Sequence, residues 1–234
     1  MVFLISACAN EKDFIYFQNV NNKNGTSQDS LFSQFVPTIH RNDILTITVG
    51  SLDPEASKPF NPSSGSVYMV DEDGKVDFPV LGFIKLAGLS KTEAIMLLSE
   101  KIKSYVKNPI INLKITNYKV TVLGDVARPG ILTVPNERIT LLEALSQSGD
   151  IQLTGNRKNV LVISEIGGAR KETRVDLTTK EVFSSPVYFL NQNDVIYVEI
   201  GKTKIKSTSD VVRYSGLVIS ITGFGLSIFN LLRR

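Results

Sequence analysis

The stretch Val120–Pro135, VTVLGDVARPGILTVP, decides the fold of the second half of this chain. Val120 and Val122, then Ile131 and Thr133, stand at the two-residue spacing of half-buried strands, and Leu123 and Val134 lengthen those runs. Between the runs, Arg128-Pro129-Gly130 has the chemistry of a tight turn. Pro fixes φ at about −65°, and Gly tolerates the positive φ that a type II turn needs at its third position. Pro129 and Gly130 are therefore expected to be structural turn residues. Downstream, Thr140-Leu141-Leu142-Glu143 reads as a capping box that opens a short helix, Leu141–Ser148, closed by Gly149. Strand, turn, strand and capped helix make a β-grasp opening.

The chain upstream reads as a separate domain, Val36–Asn117, because 234 residues suit two small cores better than one large one. Ile44–Val49 alternates apolar residues with Thr, as a strand does. Tyr68-Met69-Val70 and Lys75–Pro79 flank Asp71-Glu72-Asp73-Gly74, whose Asp-Gly predicts a hairpin turn. The carboxylates do not follow an EF-hand, which spreads its ligands over about twelve residues and ends on Glu. Ser90-Lys91-Thr92-Glu93 is a second capping box, and Ala94, Leu97, Leu98, Ile102 and Tyr105 fall on one face of the helix it opens. Asn108-Pro109 should stop that helix, and Ile110–Ile115 returns as a strand.

Several function classes are excluded on composition. With 26 basic and 23 acidic residues, evenly spread, the net charge of +3 gives no footprint for nucleic acid. One His and one Cys rule out a His/Cys metal cluster within a chain, so neither a metal site nor a cofactor is expected. Ser-His-Asp chemistry would have to use His40, in the lead-in to the first strand, and no catalytic residue is assigned. Gly167-Gly168 is a hairpin turn rather than a phosphate loop, and Asp71, Asp73 and Asp77 belong to a solvated turn.

The two ends differ from the middle. Met1–Ala7 is apolar, and Ile5-Ser6-Ala7-Cys8 fits the lipobox of bacterial lipoproteins, which makes residues 1–7 a truncated signal and Cys8 the lipidated residue. The alternative is a buried Cys in an N-terminal strand. Residues 8–35 are a polar tether, interrupted by Phe14-Ile15-Tyr16-Phe17, which is expected to dock on the first domain. Residues 202–213 form a polar linker, after which Tyr214–Leu232 carries no charge. As a helix those residues span about 28 Å, close to a bilayer core of about 30 Å. Gly216, Ser220, Gly223, Ser227 and Asn230 make a small, weakly polar stripe; Leu217, Ile221, Phe224, Ile228 and Leu231 make an apolar stripe beside it. Helices packed in a ring would use such a pairing of faces. A plain anchor, or an amphipathic helix buried in a partner, stays open. The expected fold class is α+β: two small mixed domains followed by a C-terminal membrane helix.

Val122, Gly124, Val126, Pro129, Gly130 and the Ala144–Gly149 run resemble the SLBB (soluble-ligand-binding β-grasp) domain. That module often reads V-x-G-x-V-x-x-P-G before a helix ending in Gly. Residues 118–201 are assigned to one such module. In the first domain, Asn42–Ile47, Asp73–Val76, Phe78–Gly82 and Ala87–Ser90 resemble the N-terminal domain of outer-membrane polysaccharide export proteins of the Wza type. That family usually has Gly where Asn42 stands. The Tyr16-Phe17-Gln18 segment after Cys8 is similar to short Bacteroidetes-type members. The resemblance implies a conduit, not an enzyme: lipidated protomers in a homo-oligomeric ring, periplasmic domains around a cavity, and C-terminal helices forming an α-helical barrel through the outer membrane. Capsular polysaccharide or exopolysaccharide would pass through the lumen, with an inner-membrane polysaccharide co-polymerase as partner and membrane lipid around the anchor. A periplasmic β-grasp module that retains a glycan or other soluble ligand, and a membrane-anchored accessory protein, are the alternatives.

Overall fold

A computed structural model describes residues 14–18, 36–62, 65–166, 169–201 and 220–223. The first domain opens with β1 (Ile44–Gly50), a short helix α1 (Pro54–Ser57) and a 3-10 turn (Lys58–Phe60). Then come β2 (Val67–Met69), β3 (Lys75–Phe78), β4 (Gly82–Lys85), α2 (Lys91–Ile102) and β5 (Ile110–Ile115). β1 lies between β2 and β5, antiparallel to both, while β3 and β4 form a separate hairpin. Leu45, Ile47 and Val49 are buried on one face of β1, in the same core cluster as Leu98 and Ile102 of α2, giving the alternation that the Thr-rich pattern predicts.

Local chemistry sets the element boundaries. Ser90 Oγ accepts from Glu93 N–H while the Glu93 carboxylate accepts from Ser90 N–H, so the capping box starts α2 as read from the sequence. The helix ends at Ile102, before Asn108-Pro109. The 3.6-residue spacing therefore no longer applies at Tyr105, which is 59% exposed, and Val106 is the residue buried there. At Asp71–Gly74 the turn forms: Gly74 N–H donates to Asp71 C=O, and Asp71 Oδ1 accepts from Lys75 N–H. The paired strands differ from the expected hairpin, because β2 pairs with β1 and β3 pairs with β4.

The second domain contains β6 (Lys119–Gly124), β7 (Gly130–Thr133), α3 (Leu141–Gln147), β8 (Gly155–Ile166), β9 (Ala169–Val175), a 3-10 turn (Lys180–Ser184) and β10 (Val195–Ile200). The sheet order is β7-β6-β10-β8-β9. The first and last strands, β6 and β10, lie side by side and parallel, which is possible only because the intervening chain crosses over. Thr140 and Glu143 form the second capping box, and Gly149 turns away at φ 76°.

The Pro-Gly turn is corrected. Gly130 is the first residue of β7, paired with Val122, and is not among the positive-φ residues. The special backbone is at Gly124, φ 93°, where any Cβ would collide with Val198 C=O on the neighbouring β10. The link from Gly124 to Pro129 is a wider loop, held by Ala127 N–H to Asp150 C=O (3.0 Å) and Arg128 N–H to Ser148 C=O (2.8 Å). One continuous cluster of buried residues runs through both domains, and Tyr118, at their boundary, is 1% exposed with its hydroxyl on Leu190 C=O.

Candidate functional site

Polar groups come together at the junction between the domains, and at the loop of residues 150–157 with what docks on it. At the junction, two similar turns meet. Asn42 (φ 64°) precedes buried Asp43 and β1; Asn193 (φ 66°) precedes buried Asp194 and β10. Asp43 Oδ2 accepts from His40 N–H at 2.8 Å, and Asp194 Oδ2 accepts from Asn191 N–H at 2.8 Å, the same three-residue reach in both. Asn tolerates the left-handed region better than other side chains, which is why Asn42 can stand where the resembling family has Gly.

The linker threads between these turns. Asn117 accepts Ile44 N–H and donates to Asn42 C=O, while Gln192 donates to Asn117 C=O and accepts Lys119 N–H. Glu137, 5% exposed, reaches back from the second domain to Ile115 N–H (2.8 Å) and to Lys91 Nζ (3.1 Å). Burial pushes the Asp194 carboxyl up to about 6, against the pull of Asn191 N–H, Ser164 and His40; burial also raises Asp43. The second oxygen of each carboxylate, Oδ1, has no hydrogen-bond partner. Tyr118, beside both, is raised by burial and then by Asp194, Asp43 and Glu137.

At the loop, the apolar knot docks on the second domain, not on the first as its position in the chain suggests. Phe17 packs on Phe183 at 5.1 Å between ring centroids, and Phe17 N–H donates to Leu177 C=O. Gln18 bridges to Thr179 in parallel. The Tyr16 hydroxyl donates to Asp150 Oδ1, and the Arg157 guanidinium sits 5.3 Å from the Tyr16 ring. Burial, then the bond to Asp150, raises the Tyr16 hydroxyl to about 12. Arg157 is itself fixed by Ile151 C=O (2.6 Å) and Gln152 C=O (3.1 Å). The same loop holds the other end of the domain, since Gly201 N–H donates to Thr154 C=O. A cavity of about 290 Å3 opens between Tyr16 and Phe17 on one side and α3 on the other.

Of the residues singled out in the sequence, Cys8, Gly216, Leu217, Phe224, Ser227, Ile228, Asn230 and Leu231 lie outside the described residues. Ser220, Ile221 and Gly223 fall in a short helical segment, with Ile221 68% exposed and open space around the Cα of Gly223. Among the described residues no helix is long and apolar enough to cross a membrane. Among them, too, no group of three or more His, Cys, Asp or Glu could hold a metal ion. Asp150, Arg157 and Glu137 were not legible as site residues; the only signal for any of this was the apolar knot itself.

A small mixed domain joined through a short, hydrogen-bonded linker to a β-grasp module defines the class, and sequence comparison agrees. Residues 36–116 match the model of the polysaccharide biosynthesis/export protein family, and residues 118–198 match the SLBB domain. The first domain therefore matches the polysaccharide biosynthesis/export protein family and the second the SLBB domain, in that order along the chain. It is similar to the EPS I polysaccharide export outer membrane protein EpsA of Ralstonia nicotianae, 29% identical over 174 residues that cover 73% of this chain and 45% of that protein. It is also similar to the protein of the same name in Ralstonia solanacearum, 27% identical over 152 residues, covering 63% of this chain and 40% of the relative. The chain thus spans less than half the length of the curated relatives it matches.

Proposed function

We propose that this protein is an outer-membrane lipoprotein that assembles into an oligomeric channel and exports capsular polysaccharide or exopolysaccharide across the outer membrane. The role is transport rather than catalysis. The observation that carries the reading is the ordered pair of domains, export domain then SLBB domain, covering residues 36–198. The names of the Ralstonia relatives support the substrate class and the location.

The loop of residues 150–157 adds a physical argument. Tyr16 and Gly201 both attach to it, so the segments leading to Cys8 and to Tyr214–Leu232 leave from one end of the second domain. Tyr16 is eight residues from Cys8, a reach of about 28 Å when extended. A lipid on Cys8 and a helix at 214–232 would therefore enter the same bilayer. The export domain would face away from it, toward an inner-membrane polysaccharide co-polymerase. Stable anchoring needs more than one acyl chain, as a modified lipoprotein Cys carries.

Complementation tests this. A strain lacking the protein should regain surface polysaccharide with the parent chain and with Ile221→Leu, but not with Cys8→Ala or Gly223→Leu, which puts bulk into the small-residue stripe. The detergent-extracted particle should have the mass of a ring for the first two. Equal export by Gly223→Leu and Ile221→Leu would sink the barrel; a monomeric particle would sink the channel. A second reading, a β-grasp module that retains a soluble ligand, is favoured by the cavity beside α3.

A further inference from the structure

We infer that the face of the second-domain sheet turned away from α3 is the contact between neighbouring copies of this chain. It packs on the α3 side of the next copy, with Tyr197 seated in the cavity there. The strand register defines this face. Val120, Val122, Val160, Val162, Ile196 and Val198 are buried on the side where α3 packs. The alternate residues make the other side: Ile131, Thr121, Val195 and Ile163 in one row, then Leu123, Tyr197 and Leu161 in the next. Ile131 is 65% exposed, Leu123 44% and Tyr197 41%. Polar groups stand at the edges, Lys119 and Thr133 at one end and Asn159, Glu199 and Arg174 at the other. Arg174 pairs with Glu199 at 2.8 Å, so the charges flanking the apolar rows are balanced. A solvated antiparallel face turns polar residues outward, whereas an apolar centre inside a polar rim is the make-up of an interface. The five strands make the face about 20 Å by 15 Å, or about 300 Å2, enough for the centre of a contact that needs about 800 Å2 per partner.

The membrane placement proposed above, on which this inference rests, decides what can cover the face. Gly201 and Tyr16 both attach to the loop of residues 150–157, so β10 runs toward the bilayer. The sheet face then looks sideways, neither at lipid nor at the inner membrane. A lumen for a hydrated polymer would leave it in water, and so would the outer wall of a ring. A neighbouring copy removes it from water. Copies anchored in one bilayer are related by rotation about its normal. Two such faces set against each other would close a pair, so a ring needs the face to meet a different surface. Across the sheet lies the α3 side, where Leu142, Ser146, Tyr16 and Phe17 line a cavity of about 290 Å3. Rotation about the normal preserves height, and the heights agree. Tyr197 is three residues before Ile200, about 10 Å from the loop end of β10, and the cavity reaches Asp150 at the start of that loop. Arg128 Nε lies 3.4 Å from the Cβ position of the lining residue Gly149, and a cation at the lip suits the face of a tyrosine ring.

Cross-linking tests the contact. The full chain is produced in the complemented strain, and its membranes are treated with a short bismaleimide. The parent, whose single Cys is Cys8, is the control. Tyr197→Cys and Ser146→Cys combined in one chain should give a ladder of dimers, trimers and larger species, because the two thiols lie on opposite sides of one sheet and meet only between copies. Neither single variant should cross-link more than the parent. Dimers from Tyr197→Cys alone would mean that the faces meet each other, and would overturn the inference. Ile131→Lys places an unpaired charge in the contact and should raise the concentration at which the ring dissociates by at least about tenfold, with the unfolding midpoint of the second domain unchanged. Leu52→Lys, at a position 88% exposed in the first domain, should leave dissociation as in the parent. A ring as stable in Ile131→Lys as in the parent would overturn the contact. So would a double-Cys particle with the mass of a ring that gives no ladder, and that result would leave the channel standing. A monomeric parent particle would overturn the channel and this contact together.

Discussion

The two domains use one device at opposite ends of their chains. In the first, Asn42-Asp43 launches β1, the opening strand; in the second, Asn193-Asp194 launches β10, the closing one. β1 is antiparallel to both its neighbours, and β10 is parallel to β6 and antiparallel to β8. The turn is therefore set by a few local residues and is indifferent to sheet topology. What differs is what each domain holds. The second gathers the 14–18 segment, the Glu137 lock and the exit at Gly201, while the first contributes mainly its junction face. The second domain is the hub, and the first is attached to it.

The largest expected effect breaks the hub and leaves the first domain alone. Gly124→Ala must place a Cβ against Val198 C=O at a positive φ, so it should destabilise the second domain by at least about 3 kcal/mol. Calorimetry should show its transition moving down and separating from that of the first domain. Gly130→Ala is the control. Nothing lies within 4 Å of the new Cβ, and stability should stay within about 1 kcal/mol of the parent. If both domains fall together in Gly124→Ala, they are one cooperative unit and the division into hub and attachment is wrong.

Next is the lock. Glu137→Ala strips Ile115 N–H of its buried acceptor and Lys91 of its partner, at a cost of about 2 kcal/mol. The effect should appear as looser coupling: faster proteolysis at Asn117-Tyr118, with the core amides of each domain still protected from hydrogen exchange. Unchanged cleavage at that linker would count against Glu137 as the tie.

The paired carboxylates sharpen the comparison through pH. Asp194 binds its proton at about 6 in the folded protein and at about 3.8 when unfolded. Between those values the native state holds more protons, so stability should increase as pH falls from about 7 toward 4, by about 1–2 kcal/mol. Asp43 is shifted the same way by the same cause. Asp194→Asn, which keeps an acceptor for Asn191 N–H, should flatten much of that slope in urea unfolding measured across the window. A slope unaltered in Asp194→Asn would move the titration to Asp43.

How much of this was legible depended on how local each device is. Both capping boxes, the Asp71–Gly74 turn and the order of elements in the β-grasp domain follow from residues close in the chain, and they read correctly. Gly124 was passed over for Gly130 because its constraint comes from Val198, a neighbour only after β10 has paired with β6. Phe14–Phe17 announced an apolar surface seeking a partner, but Phe183 and Leu177 are equally distant consequences of the fold. Glu137 in a loop reads as solvated; only the approach of Ile115 and Lys91 makes it buried and paired.

The smallest effect tests whether the two Asn-Asp turns are equivalent. Asn42 and Asn193 have nearly the same φ, 64° and 66°, so the strain of an ordinary side chain should be nearly the same at both. Asn42→Ala and Asn193→Ala should each cost about 1 kcal/mol, and the Gly replacements should stay within about 0.5 kcal/mol of the parent, since Gly adopts this conformation without strain but loses more freedom on folding. The surroundings are not identical. Asn42 C=O receives Asn117 Nδ2 at 3.0 Å, whereas Asn193 N–H donates to Lys119 C=O at 2.9 Å. Both bonds use main-chain atoms of the Asn, which survive either replacement, so the equivalence should hold. Measured as urea midpoints, a cost at Asn42 several times that at Asn193 would mean that the bond to Asn117 requires the Asn backbone to sit exceptionally well. The first turn would then be part of the junction rather than a local device.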